Sequence, residues 1–245
     1  MPLPKLDSPI FELTLPSSSE IIKYRPFLVK EQKILMIAME GQSEKDMLNA
    51  IKQIINNCAV DKVDVDKLPI FDIEYFFTRL RAKSVGETVD LKLQHGGRIN
   101  SSGEQCRHVT NFRLNLLEVE VEKAEDHSDK IILDEDRGIG IKLTYPKIDL
   151  AKYVAKKKNE IEGVIEAIKE CTEYIFDKEN VYMRKDHSAN ELDNFINDLS
   201  QAQFEKIVNF FKSMPKLKHT IKWKCAECNH EDSVTLEGMQ SFFVS

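Results

Sequence analysis

The length, composition and charge of the 245-residue chain exclude several functional classes. A net charge of −6 disfavours general nucleic-acid binding, which needs a dense cationic surface to displace counterions. No apolar run approaches the roughly 20 residues that span a bilayer. The beginning of the chain has no charged region followed by an apolar one, so we expect neither a membrane segment nor a signal peptide. Five irregularly spaced cysteines predict reduced thiols in a cytosolic compartment rather than a disulfide framework.

The first predicted segment, residues 1–85, combines a β-hairpin with helices. Phe11 and Leu13 alternate with polar residues ahead of a Pro-Ser turn, which predicts a strand. Helical periodicity predicts three helices after the hairpin. Ser43 is the expected N-cap of the second helix and Asp72 that of the third.

The second segment, residues 86–147, is predicted to be an antiparallel β unit. Val89, Leu91 and Leu93 alternate with charged residues, the period of a half-buried strand. A polar loop follows, and a further strand is expected around Leu114. Acidic and glycine-containing turns separate the remaining strands of this unit.

The third segment, residues 148–245, is predicted to contain amphipathic helices followed by a β-hairpin. The first helix is expected to run from Ile148 to Phe176, and capping boxes at Ser188 and Ser200 predict two more. Helices do not alternate with strands along the chain, so the predicted class is α+β. The predicted fold has a small N-terminal α/β part, a central antiparallel β unit and C-terminal helices ending in a zinc-ribbon-like hairpin. The three segments are compatible with one compact body.

A candidate metal site lies in the C-terminal hairpin. Cys225 and Cys228 have the spacing at which two thiolates bind one ion from a tight turn. A structural Zn²⁺ site needs four ligands, and Cys106 and His108 in the central polar loop could complete a Cys₃His set. His95 lies just before the same loop. The sequence therefore predicts one structural Zn²⁺ held by Cys106, His108, Cys225 and Cys228.

Two other interpretations of the cysteine pair stay open. The hairpin could be a knuckle without metal that is held by packing alone. A redox function would need the pair between a strand and the start of a helix, whereas here a strand follows. Cys58 and Cys171 lie on predicted helix faces and are expected to be ordinary core thiols.

No catalytic motif is recognisable in the sequence, and the protein is predicted not to be an enzyme. His127 and His187 lie in polar stretches and are expected at the surface rather than acting as bases. The main alternative function is a zinc-ribbon nucleic-acid-binding module that uses Arg25, Lys30 and Lys33, or the lysines around Trp223. Salt-dependent retention on DNA would distinguish it.

The end of the sequence carries apolar side chains that need burial. Met239, Phe242 and Phe243 could dock into a partner protein or pack within their own chain. We predict a partner-binding role for these three residues. Exposed strand edges and the amphipathic helices between Ile148 and Met214 are further expected contact surfaces.

Four stretches together resemble a known family: LPSSSEIIKYRPFLVKEQKILMIAME, LPIFDIEYFFTRLRAKSVGE, IKLTYPKI, and CAEC followed by LEGMQSFF. They are similar to the baseplate hub subunits and hub-assembly proteins of T-even-type contractile-tailed phages, over nearly the whole chain. In that family further cysteines often occupy the central loop, where this chain offers Cys106 and His108.

The resemblance implies a non-enzymatic structural or assembly protein, whose partners are other hub proteins and the tape-measure protein, with a homo-oligomer as a further possibility. Neither nucleic acid nor membrane is an expected partner. The resemblance also implies that the protein assembles in the host cytoplasm. It then either stays in the virion tail or acts transiently as a chaperone-like assembly factor.

Overall fold

The computed structural model describes residues 6–41, 43–96, 106–148, 150 and 160–242. Its strands and α-helices, in chain order, are β1 Phe11–Thr14, β2 Ile21–Tyr24, α1 Val29–Glu40, α2 Glu44–Cys58, α3 Ile70–Val85, β3 Thr88–Leu93, β4 Thr110–Asn115, β5 Glu120–Glu122, β6 Lys130–Asp134, β7 Ile139–Leu143, α4 Glu160–Cys171, β8 Thr172–Phe176, β9 Val181–Met183, α5 Ala189–Asn197, α6 Gln201–Ser213, β10 Lys216–Lys224 and β11 Glu231–Glu237. Every paired strand among them is antiparallel. The predicted α+β class is therefore confirmed.

The chain divides into two compact units. Unit 1 takes its residues from the ranges 1–65, 71–122 and 216–245, and unit 2 from 66–70 and 123–215. This division differs from the consecutive segments 1–85, 86–147 and 148–245, because the central β strands are shared between the units. Strands β3 to β5 belong to unit 1, and β6 and β7 belong to unit 2.

Unit 1 contains three small sheets and the helices α1, α2 and α3. Strands β1 and β2 form a hairpin, β3 pairs with β4, and the third sheet has the order β11-β10-β5. One hydrophobic cluster draws on both of the latter sheets; it includes Leu93, Leu114, Leu217, Ile221 and Trp223. The predicted inward face of β3 is confirmed, because Val89, Leu91 and Leu93 are all buried.

Unit 2 contains a four-stranded sheet with the order β6-β7-β8-β9 and the helices α4, α5 and α6. Its core combines Ile141 and Leu143 of β7 with apolar residues of the three helices, which are Ile168, Leu192, Ile196, Ile207 and Phe210. The amphipathic helices thus bury their apolar faces within their own unit. A partner-contact surface on these helices stays a prediction.

Helix N-caps follow the local sequence closely. The hydroxyl oxygens of Ser43, Ser188 and Ser200 accept hydrogen bonds from backbone N–H groups of the first helical turns, as predicted. Asp72 is different, because α3 begins two residues earlier, at Ile70. The Asp72 side chain is fully buried and accepts hydrogen bonds from the backbone N–H and the hydroxyl of Ser17. It therefore ties the turn after β1 to α3 instead of capping the helix.

The long helix expected to reach Phe176 ends earlier. Helix α4 ends at Cys171, and Thr172–Phe176 forms strand β8, which pairs with β7 and β9. The backbone N–H of Thr144 donates to the carbonyl of Cys171 at the start of this pairing. Hydrogen bonds to two neighbouring strands outweigh the helical periodicity of the sequence.

Candidate metal centre

The tips of two β-hairpins in unit 1 bring together one histidine and three cysteines. Strands β3 and β4 pair from Thr88↔Asn115 to Leu93↔Thr110, and His95 and Cys106 lie in the connection beyond that last pair. Strands β10 and β11 pair as far as Lys224↔Glu231, and Cys225 and Cys228 lie in their turn. The potential ligand atoms of these four residues all lie within 4.8 Å of one another.

Strand periodicity explains why two of these side chains point to the core. His95 continues the alternation of Leu91 and Leu93, both of which are buried. Cys225 continues the alternation of Ile221 and Trp223 in the same way. The inward-facing residue that follows β3 is His95, and the one that follows β10 is Cys225. His95 is only 3% exposed and Cys225 is fully buried.

The distances inside the cluster are those of non-bonded neighbours. The sulfurs of Cys106 and Cys225 are 3.8 Å apart, and Nε2 of His95 lies 3.2 Å from the sulfur of Cys228. All five cysteines of the chain are free thiols. Cys106 and Cys225 are buried and Cys228 is partly exposed. The first two belong to the hydrophobic cluster of unit 1, and Cys228 packs against it.

The turn that carries Cys225 and Cys228 is a tight knuckle. The Cys225 backbone N–H donates to the carbonyl of His230, and the Asn229 N–H donates to the carbonyl of Cys225. Asn229 has a φ of 56°, a left-handed conformation that Asn tolerates better than most residues. These hydrogen bonds set the two sulfurs on one side of the turn.

Backbone N–H groups also act on the sulfurs. A hydrogen bond from the Cys228 N–H is the main cause that lowers the pKa of Cys225 to about 6, and the Glu227 N–H acts in the same direction. Burial instead raises the pKa of Cys58 to about 11 and that of Cys171 to about 12. The knuckle thus favours a thiolate at Cys225, whereas Cys58 and Cys171 are buried as core thiols.

The histidine in the cluster is His95 rather than His108. Cys106, Cys225 and Cys228 lie together as predicted, but the imidazole of His108 is not among the grouped ligand atoms. The backbone N–H of His108 hydrogen-bonds to the Cys106 sulfur and lowers its pKa, although burial and the neighbouring thiols leave that pKa raised. Continuing the alternation of β3 by one more step would have found His95 in the sequence.

Two aromatic rings lie beside the imidazole of His95. The Trp223 ring centroid lies 5.9 Å away and that of His230 lies 4.9 Å away, edge to face. Nδ1 of His95 is buried and has no hydrogen-bond partner within the part of the chain that the structure describes. A buried imidazole with one unsatisfied nitrogen and three adjacent thiols is a donor set that could hold a soft or borderline metal ion.

The predicted partner-binding residues at the end of the sequence are described only in part. Met239 is buried, and its backbone N–H donates to the carboxylate of Glu74 at 3.2 Å. The side chain of Phe242 and the whole of Phe243 lie outside the described residues. The apolar surface of Met239 is therefore already covered within the chain.

His127 was expected at the surface, and that expectation is wrong. Its side chain is buried in unit 2, where Nδ1 contacts the Ser213 hydroxyl at 2.9 Å and Nε2 contacts the Tyr145 hydroxyl at 3.2 Å. Burial lowers the pKa of His127 and favours its neutral form. It is a core histidine with both nitrogens satisfied.

The fold is that of an α+β protein, and its Cys/His cluster is compatible with a zinc-ribbon-like end. A family model described as "T4 bacteriophage base plate protein" matches residues 8–244, and the chain belongs to that family. No curated protein and no solved structure matches the chain significantly.

Family membership supports a structural role in the phage baseplate and fits a location in the virion tail. Proteins of such a structural family are usually not enzymes. Among the described residues, no helix has both the length and the apolar character needed to span a membrane.

Proposed function

We propose that the protein is a non-enzymatic structural or assembly component of the baseplate hub. It acts through contacts with other hub proteins and the tape-measure protein. The observation that carries this proposal is the match to the baseplate family over residues 8–244. Assembly takes place in the host cytoplasm, and the protein either remains in the tail or leaves as an assembly factor.

Helix α1 supplies a candidate contact surface in unit 1. Val29 is 68% exposed, Met36 54% and Ile37 70%. Their spacing of seven and eight residues places them on adjoining parts of one helix face. Apolar side chains grouped on a surface favour a protein contact, because their burial against a partner removes them from water.

The proposal includes one structural Zn²⁺ in the Cys/His cluster. Four protein ligands fill a tetrahedral coordination sphere and leave no position open for water or substrate, as is typical of structural rather than catalytic zinc. An ion of this kind suits a protein that works by presenting surfaces, because it stiffens the fold without adding chemistry.

The second candidate, a zinc-ribbon nucleic-acid-binding module, has weaker support. Arg25 and Lys30 both contact the buried carboxylate of Glu31, at 3.1 and 3.5 Å. Lys224, beside the only tryptophan, lies 3.9 Å from Glu231 on the paired strand. Cations with acidic neighbours attract phosphates less than an unpaired basic patch does. Retention on a DNA resin that falls steeply with salt would favour this alternative.

Co-expression with candidate hub proteins and the tape-measure protein tests the proposal. The full chain is expected to co-purify with at least one of them as a complex of defined size. Met36→Ser combined with Ile37→Ser should weaken capture roughly tenfold or more, because both apolar side chains lose contact with the partner and buried area converts only partly into affinity.

Ile161→Ser is the matched control, because Ile161 is a similarly exposed aliphatic residue in unit 2, 68% exposed on α4. We expect that variant to be captured like the unmodified chain. Loss of capture in the control alone would indicate that the contact surface lies on α4 and not on α1. Absence of any complex with all the candidates would contradict the hub role.

A further inference from the structure

We infer that Nε2 of His95 and the sulfurs of Cys106, Cys225 and Cys228 form a closed tetrahedral Zn²⁺ site that fastens the tips of the β3–β4 and β10–β11 hairpins to each other. The inference supplies the ligand set of the structural ion in the proposed function, on which it rests. It assigns the fourth ligand to His95 and excludes His108.

The distances between the ligand atoms are close to those around a tetrahedral ion. Zn–S bonds of about 2.3 Å at tetrahedral angles place two sulfurs about 3.8 Å apart, and a Zn–N bond of about 2.0 Å places nitrogen and sulfur about 3.5 Å apart. The sulfurs of Cys106 and Cys225 are 3.8 Å apart, and the contact between His95 Nε2 and the Cys228 sulfur is 3.2 Å. A disulfide would require about 2.05 Å. These two distances suit a shared ion, and all four ligand atoms lie within 4.8 Å of one another.

The buried imidazole of His95 has weak partners at Nε2. His95 is 3% exposed, and its Nε2 lies 3.2 Å from the thiol sulfur of Cys228. Thiols are weak donors and weak acceptors, so this contact compensates poorly for the burial of an imidazole. A metal bond at Nε2 would replace the weak contact with a strong one.

The donor atoms of the cluster are three sulfurs and one imidazole nitrogen. Three thiolates and one imidazole match the ligand set of structural Zn²⁺ sites and do not suit Mg²⁺ or Ca²⁺, which prefer oxygen.

The position of the site indicates what the ion does. The hydrophobic cluster of unit 1 combines residues of the β3–β4 sheet with residues of the sheet that contains β10 and β11. Cys106 and Cys225 are members of that cluster, one from each hairpin. An ion bound to both would join the two sheets, so its removal should loosen unit 1.

Metal analysis of the purified full chain is the direct test. After expression with added zinc, we expect one Zn²⁺ per chain, retained through dialysis and released by a strong chelator or by thiol modification. Co²⁺ in its place should produce the visible bands of tetrahedral coordination together with sulfur-to-metal charge transfer. Zinc release should be accompanied by a change in the fluorescence of Trp223, which lies beside His95.

Three variants test the ligand assignment. His95→Ala should reduce zinc affinity by more than the roughly 10- to 100-fold that changes around the ligands typically cost. His95→Cys restores a ligand and should retain the ion, which keeps the test valid if the alanine variant folds poorly. His108→Ala removes the other imidazole near Cys106 and should behave like the unmodified chain.

The inference is overturned if the reduced, folded chain takes up neither Zn²⁺ nor Co²⁺, or if His108→Ala loses the ion while His95→Ala keeps it. A Cys106–Cys225 disulfide in the protein isolated under reducing conditions would also overturn it. Zinc retention with no hub complex would contradict the hub role and leave the ligand assignment standing. A hub complex with metal-free protein would contradict this inference and the structural ion, and would leave the hub role standing.

Discussion

Arg25 donates two hydrogen bonds to Glu31, at 3.1 and 3.4 Å, and the Glu31 side chain has no exposed surface. The backbone N–H of Leu28 donates to the same carboxylate at 2.9 Å. Arg25 also donates to the carbonyl of Asn57, at the end of α2. The pair thus links the chain after β2 to the start of α1 and the end of α2.

Glu31→Gln removes the charge of this buried carboxylate at nearly constant shape. We expect a loss of about 1–3 kcal/mol in the free energy of unfolding at neutral pH, because Arg25 is left with a neutral acceptor. Urea unfolding followed by Trp223 fluorescence, which reports on unit 1, measures the change. Glu12→Gln is the control: Glu12 faces Lys23 at 3.8 Å on the surface, and its change should stay below about 1 kcal/mol. Equal losses would contradict a special role for Glu31.

The same pair predicts a pH dependence. Burial alone would raise the pKa of Glu31, but the hydrogen bonds from Arg25 and Leu28 lower it below the ordinary value. A carboxyl whose pKa is lower in the folded state stabilises the fold above its unfolded-state pKa. That contribution is lost as the pH falls through the folded-state pKa. The stability difference between the unmodified chain and Glu31→Gln should therefore shrink on acidification; a constant difference would contradict the assignment.

Gly140 on β7 is expected to tolerate no side chain. A Cβ there would lie 2.6 Å from the carbonyl oxygen of Ile131 and would overlap the ring of Phe176 on the paired strand. Gly140→Ala should destabilise unit 2 by roughly 1–3 kcal/mol through overpacking. Thermal unfolding followed by far-UV circular dichroism measures the loss. Gly41→Ala is the control, because its nearest atom would lie at an ordinary 3.6 Å. A Gly140→Ala melting point equal to that of the control would refute the close approach.

The aromatic residues near the end of the sequence lead to a prediction about binding. Phe242→Ala combined with Phe243→Ala should weaken capture of hub proteins and leave the free energy of unfolding unchanged. Met239→Ala should show the reverse pattern, since Met239 is buried and its truncation leaves a cavity. Pulldown with hub proteins and urea unfolding together distinguish the two. Unchanged capture in the double variant would show that these phenylalanines do not dock.

Local signals in the sequence were sufficient for much of the fold. The caps at Ser43, Ser188 and Ser200 depend on residues three positions away, and a sequence window contains both partners. The inward face of β3 follows from alternation alone. Strand β8 could not be predicted in this way, because its identity depends on pairing with Gly140 and Ile141, more than 30 residues earlier in the chain.

The candidate site was predictable except for its histidine. Cys225 and Cys228 share one turn, so their spacing reveals the pair. Whether His95 or His108 joins them depends on how the β3–β4 hairpin packs against the β10–β11 hairpin. Positions along the sequence do not show how two distant hairpins pack. The burial of Asp72 was hidden for the same reason, because its partner Ser17 lies 55 residues earlier.

Unit 1 is built from stretches of the chain that lie before and after unit 2. This arrangement affects the order in which the two units can fold during synthesis. Its sheet of β5, β10 and β11 requires residues 216 onward, whereas unit 2 ends at residue 215. On the ribosome, unit 2 is complete before the strands that finish unit 1 have emerged. Leu116 and Val119 belong to the same hydrophobic cluster as Leu217, so that cluster stays incomplete until residue 217 has emerged. This delay is the period in which the nascent protein is most exposed to aggregation and to capture by chaperones.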